Sequence, residues 1–139
     1  MELEIEKERT FNCPEGCFRA KFKGIREERK FRDGKLEKFA RLTLEVEVPS
    51  IPDKIVTVAR NFPPSLKPGS KLRELLESWL GRNFFEQNSG KKIDFDLLID
   101  KEADILVHLI QNEGYAQPYR FLAEMYPPGT LPLGETVED

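Results

Sequence analysis

Between Cys17 and Thr43 the chain places ten Lys or Arg residues against four Asp or Glu, and Phe31 and Phe39 lie among the cations. Cations grip phosphates, and a flat aromatic ring stacks on an unpaired base. The combination suits a single strand, because the bases of a duplex are already stacked on one another. The residues offering this chemistry are Arg19, Lys21 and Lys23, then Arg26, Arg29, Lys30, Phe31, Arg32 and Lys35, then Phe39 and Arg41. Each ring also has a plain packing alternative: Phe39 as a surface residue covered by a loop, Phe31 as a loop residue folded back on a sheet. Tyr115 and Tyr119 are further stacking candidates.

Other chemistry has less support. Cys13 and Cys17, in CPEGC, have the spacing of half a zinc site, but a structural site takes four ligands and the chain adds only His108. A disulfide is not expected in a reducing compartment. Pro14 and Gly16 are expected to set a turn before the first strand. Asp94, Asp96, Asp100, Glu102 and Asp104 resemble a metal-binding loop, yet the run lacks the glycine of a calcium loop and is interrupted by Phe95, Leu97, Leu98 and Ile99. These carboxylates read as solvated loop charges. His108 has no nucleophile constellation around it in sequence, and no glycine-rich phosphate loop is present. No catalytic residue, metal or cofactor is assigned.

The elements that must position these residues follow from periodicity. Phe18, Ala20 and Phe22 alternate with Arg19, Lys21 and Lys23, which predicts a half-buried strand over Cys17–Ile25. Arg26–Lys35 reads as a charged loop with Asp33-Gly34 as its turn. A second strand runs over Lys38–Val48, with Ala40, Leu42, Leu44, Val46 and Val48 on one face and Phe39 and Arg41 on the other. Lys54–Asn61 is a third strand. Ser70 is a helix N-cap, Gly81 a stop, and Leu72, Leu75, Leu76, Trp79 and Leu80 form one apolar stripe between them. Residues 82–92 read as a polar loop and 95–99 as a helical turn. Asp104–Gln111 and Pro118–Tyr126 are two more strands turning at Asn112–Gly114. Residues 1–12 are expected to be flexible, 13–129 to form one domain, and 130–139 to be an acidic tail.

Three strands, a helix and two strands contain no βαβ alternation, so a parallel sheet is not expected. The order is that of an oligonucleotide-binding (OB) fold, a mainly β, five-stranded OB-like barrel with one amphipathic helix between strands three and four. Such barrels hold oligonucleotides on strand faces and on the loop joining strands one and two. The 139 residues, 39% apolar and 10% aromatic, suffice for one domain with a core. Net charge is −3, which taken alone disfavours nucleic acid, but residues 83–139 carry four cations against eleven carboxylates, so the sum conceals a basic hairpin joined to an acidic half. No apolar run is long enough to span a bilayer, and the acidic start is unlike a signal peptide, so a cytoplasmic protein without a membrane partner is expected.

Several segments together resemble a family of small single-stranded DNA-binding proteins of phages and prophages. They are SKLRELLESWLG over 70–81, FDLL over 95–98, ILVHLI over 105–110, Tyr119 in the last strand and PPG over 127–129, with PEG over 14–16 and LTLE over 42–45. The helix-Trp-Gly element followed by Phe-Asp is the more specific part. The resemblance implies an OB-like fold and a role in DNA replication or recombination. Two departures stand out: the family usually carries a glycine shortly after the Phe-Asp-Leu segment, where this chain has Asp100, and the ending ETVED lacks the Pro-Phe end of bacterial single-strand-binding proteins. Recruitment of partners through such a tail is therefore not expected. Trp79 matches the family's helix tryptophan and reads as core packing rather than base stacking.

The expected function is non-enzymatic binding of single-stranded DNA through Arg19, Lys21, Lys23, Arg26, Arg29, Lys30, Phe31, Arg32, Phe39 and Arg41. The alternative is a protein-interaction module that docks a recombinase or other replication protein, or self-associates, through its acidic half. A nuclease using Asp94, Asp96 and Asp104 is the third reading.

Overall fold

A computed structural model describes residues 1–2, 13–50, 55–110 and 119–135. The expected turn at Asn112–Gly114 and Tyr115 lie outside the described residues, as do most of the N-terminal segment and residues 136–139. The architecture is mainly β: a six-stranded antiparallel sheet of β1 (Gly16–Arg32), β2 (Lys35–Val46), β3 (Val56–Phe62), β4 (Glu102–Ile110), β5 (Tyr119–Tyr126) and β6 (Gly134–Glu135). The order is β3-β2-β1-β4-β5, with β6 also pairing β1.

The core follows the alternation. Phe18, Ala20 and Phe22 of β1, Leu42, Leu44 and Val46 of β2, Val56 and Val58 of β3, Ile105 and Val107 of β4, and Leu122 and Met125 of β5 are buried on one face. Helix α1 (Lys71–Leu80) covers that face with Leu72, Leu75, Leu76 and Trp79. Its Ser70 cap accepts from the Arg73 N–H at 3.4 Å. Trp79 is 3% exposed, packs 5.2 Å from the Phe22 ring and donates its indole N–H to the Glu102 carbonyl at 3.0 Å, so it is core.

The connection from β3 to β4 holds more than the single helix expected. Residues 82–92 are not simply a polar loop: α2 (Arg82–Gln87) forms there because Phe85 is buried, with the Arg73 guanidinium 4.4 Å from its ring centroid. A 3-10 turn follows at Phe95–Leu98. Asp100, where the resembled family has glycine, takes a left-handed φ of 72°. Asp and Asn tolerate that region better than most side chains. Here the Asp100 N–H donates to the Phe22 carbonyl at 2.7 Å, and its carboxylate pairs with Lys23.

Among the described residues the sheet does not close by backbone pairing, so the expected barrel is an open sheet here. Strands β3 and β5 are its two edges, and Arg60 spans the seam between them. Its guanidinium lies 4.5 Å from the Phe62 ring centroid and 4.1 Å from that of Phe121, and donates to the Leu122 carbonyl at 2.9 Å. Burial pushes the Arg60 pKa below its ordinary value, while the two ring faces favour the cation.

Asp104 departs most from expectation. Alternation along β4 points it away from the core, and it reads in sequence as a solvated charge, yet it is 0% exposed. The chain after Pro128 folds back over it. One carboxylate oxygen accepts the N–H groups of Gly129, Thr130 and Leu131 at 2.8, 2.9 and 3.1 Å, and the other accepts Arg19 Nε at 2.6 Å. The strap leads on to β6, which pairs Gly16 and Cys17 of β1. Residues 130–135 are therefore bound to the domain rather than extending from it.

Burial pushes the Asp104 carboxyl up, but the Arg19 hydrogen bond, the Leu131 and Gly129 N–H groups and the Arg19 charge outweigh it and hold the acid below its ordinary value. A carboxylate depressed in the folded state stabilises the fold above its unfolded pKa. That contribution is lost as pH falls through the folded pKa. Asp104→Asn keeps the shape but offers one acceptor oxygen and turns an NH₂ toward donors. We expect it to cost about 3–5 kcal/mol in urea unfolding at neutral pH, as for other broken buried pairs. Below about pH 4, where acid already weakens the wild-type clasp, the gap between variant and wild type should narrow; an equal gap at pH 7 and pH 3 would show that the carboxylate charge is not what holds the strap.

Candidate nucleic-acid interface

The stretch expected as a loop between strands one and two is a β-ribbon. β1 runs through to Arg32 and β2 begins at Lys35, joined by Asp33 and Gly34 with φ of 52° and 76°. Two consecutive positive φ values make the type I′ turn that matches strand twist, which is why Asp-Gly stands there. β4 pairs β1 only up to Lys21, and β3 pairs β2 only from Ala40 onward. Residues 28–32 and 35–39 consequently pair with each other alone. Five rungs at strand spacing make an arm reaching about 17 Å beyond the sheet.

A bulge decides which residues share a face. Phe22 pairs Leu44 and Gly24 pairs Thr43, so Lys23 is the extra residue, and Gly24 takes a φ of 125°. One added residue reverses the alternation for the rest of the strand. Beyond it Ile25 joins the core-side face opposite Leu42, and Arg26, Glu28, Lys30 and Arg32 take the outer face with Lys35, Glu37, Phe39 and Arg41. Arg29 and Phe31 fall on the core-side face opposite Lys38 and Leu36. Phe31 and Phe39, grouped together in sequence, stand on opposite faces of the ribbon.

The ten candidate residues divide by what already holds them. Arg19 is committed to Asp104 and lies 3.5 Å from Glu102. Lys23 pairs with Asp100 and, at 3.4 Å, with Glu45; the Asp100 hydrogen bond, ahead of opposing burial, raises its pKa. Arg26 pairs with Glu28 at 2.9 Å, and Glu27 bridges Arg29 and Lys38 at 3.6 and 3.7 Å. Of these, Glu27–Lys38 crosses from β1 to β2 and braces an arm that two strands alone hold weakly, while the other two run along β1. Arg41 donates to the Asn61 side chain at 3.1 Å. Lys21, Lys30, Arg32 and Lys35 make no ion pair among the described residues. Phe39 is half-buried beside Arg41, and Phe31 is 80% exposed near the tip. The outer face thus carries Lys21, Arg41, Phe39, Lys30, Lys35 and Arg32 in line from sheet to tip.

Two residues escaped the sequence reading. Leu36, 47% exposed, is the rung partner of Phe31, and Lys38 faces Arg29. The signal was present, since a two-residue turn at 33–34 pairs 31 with 36 and 29 with 38; the assignment of 26–35 to a loop concealed it. The acidic cluster disperses. Asp94 caps the 3-10 turn through the Asp96 N–H at 3.0 Å, Asp100 and Glu102 pair with cations, and Asp104 is buried. Among the described residues no group of three or more His, Cys, Asp or Glu could hold a metal ion. Cys13 is buried with its thiol pushed up to about 12 by that burial, and Cys17 is raised for the same reason; both are free thiols. Among the described residues no helix is long and apolar enough to cross a membrane.

This division predicts a separation of roles. The triple variant Lys30→Glu, Arg32→Glu, Lys35→Glu should unfold in urea within about 0.5 kcal/mol of wild type per substitution, as exposed positions do. Arg19→Glu should instead destabilise the fold by about 3 kcal/mol or more, because it leaves Asp104 facing a like charge. Equal stability of the two variants would disprove the assignment of Arg19 to the fold. Comparison of the chain with protein-family models and with curated proteins finds no match.

Proposed function

We propose that this protein binds single-stranded DNA without catalysing a reaction, and that the outer face of the β1–β2 arm is the binding surface. The observation that carries this reading is the row of cations that form no ion pair among the described residues, Lys21 and Arg41 on the sheet and Lys30, Arg32 and Lys35 on the arm, with Phe39 on the same face. Phosphates lie along the cations, and Phe39 stacks on a base. Arg19 and Lys23 support the surface from within the fold. Affinity in such a site comes from the backbone and from stacking, so sequence preference is weak.

The fold is read as an OB-like barrel opened at one seam. β1 is shared between β2 and β4, the helix-containing connection separates β3 from β4, and Arg60 joins β3 to β5 where a closed barrel would pair them. The arm then occupies the position of the loop between strands one and two, where OB folds hold oligonucleotides. Together with the resemblance to phage and prophage proteins, this supports our reading of a cytoplasmic protein of DNA replication or recombination, with a recombinase or other replication protein as the candidate protein partner.

Fluorescence anisotropy with labelled oligo-dT tests the proposal. Binding is expected at low salt, with the logarithm of affinity falling against that of salt at a slope of about −3.5 if five cations each neutralise a phosphate. The Lys30, Arg32 and Lys35 charge-reversal triple should weaken binding by tenfold or more and flatten the slope by about 2. No anisotropy change at low salt sinks the proposal; undiminished binding by the triple variant removes the arm from the site.

A further inference from the structure

The arm is two-faced, and a binding surface for one strand uses only one face. The core-side face ends in an apolar rung, Phe31 opposite Leu36, 80% and 47% exposed. Directly next to it is the rung Arg29–Lys38, whose two cations share the single carboxylate of Glu27 at 3.6 and 3.7 Å and so keep a net positive charge on this face. The outer face at the same height carries Lys30, Arg32 and Lys35. An exposed Phe–Leu pair at the end of a charged arm has no folding role: it is beyond the last contact of β2 with β3, and deleting it would bury nothing less. The type I′ turn on one side and the cross-strand pair Glu27–Lys38 on the other flank the rung.

We infer that the arm is a wedge for a junction between single-stranded and duplex DNA. This rests on the single-strand reading above and names its preferred substrate. One unpaired strand lies along the outer face on Lys21, Arg41, Phe39 and Lys30. The Phe31–Leu36 rung stacks on the exposed end of the last base pair. The second strand leaves past Arg29 and Lys38 on the core-side face. Three features fit this occupant: cations on both faces match two phosphate backbones, the ribbon is two strands wide, and the apolar pair sits at the tip, where the two strands part. Apolar side chains inserted at base steps are an established way of unstacking a duplex.

The test compares three labelled probes with the full-length chain: oligo-dT, a blunt duplex, and a fork of the same duplex with two non-complementary dT arms. Wild type should bind the fork about tenfold more tightly than oligo-dT at equal salt, and the blunt duplex more weakly than either. Phe31→Ala with Leu36→Ala should reduce the fork-to-oligo-dT ratio to about one. Phe31→Tyr should preserve the ratio, because a ring remains. Thermal melts of the variants should coincide with wild type, the rung being exposed. Binding of oligo-dT without fork preference overturns the wedge and leaves the single-strand reading standing. Absence of binding to all three probes overturns both. Retention of the ratio by the double Ala variant, or tip-dependent self-association in sedimentation without effect on fork binding, assigns the rung elsewhere and overturns the wedge.

Discussion

The contact between Asp104 and its four donors organises the sheet and the chain that covers it. A carboxylate fully removed from water is costly unless its oxygens are satisfied. Here one oxygen takes the guanidinium of Arg19 and the other three successive backbone N–H groups. That arrangement joins the rung Arg19–Asp104 of β1 and β4 to the strap that follows β5. The strap then supplies β6 to the otherwise short pairing of β1 at Gly16 and Cys17. Among the described residues, the other hydrogen bonds of 129–131 run only from Thr130 to the Pro127 carbonyl, within the strap itself.

This clasp also sorts the cations of β1. Arg19, Lys21 and Lys23 are equivalent by alternation, but Asp104 takes the first and Asp100 the third. Of these three only Lys21 forms no ion pair among the described residues. Farther along, Glu27 and Glu28 neutralise the cations at the root of the arm, and charge becomes free again near the tip at Lys30, Arg32 and Lys35. Glu27 therefore stiffens the ribbon at its base by pairing Lys38 across it, while Lys30, Arg32 and Lys35, which form no ion pair among the described residues, lie farther out on the outer face, with Glu37 and the turn residue Asp33 beside them.

The seam between β3 and β5 is handled by a different device. Two strand edges facing each other without a ladder expose unpaired backbone groups. Arg60 satisfies one of them at Leu122 and fills the space with its stem and its guanidinium between Phe62 and Phe121. A cation between two ring faces keeps favourable electrostatics in a place where full hydration is lost. The core beneath remains apolar, with α1 and Trp79 packed against Phe22.

Much of the fold was legible in local patterns. The alternation of Phe18, Ala20 and Phe22, the clean two-sided pattern of β2, the stripe from Leu72 to Leu80 with its Ser70 cap, and the Asp33-Gly34 turn depend only on neighbouring residues; the helix and turn form where those patterns predict, and β1 and β2 form there but run on to the turn through residues expected to be a loop. The basic character of the hairpin was equally plain. Tertiary structure alone decided three matters. The bulge at Lys23 put Phe31 and Phe39 on opposite faces, because a period-two pattern shows no extra residue until a partner strand sets the register. The burial of Asp104 depended on a strap some 25 residues later in the chain covering an outward position. The separation of structural from uncommitted cations depended on which carboxylate the fold brought within reach of each. Sequence determined which residues carry charge and where the chain turns, since these are local properties; register and long-range pairing determined which charges remain for a ligand.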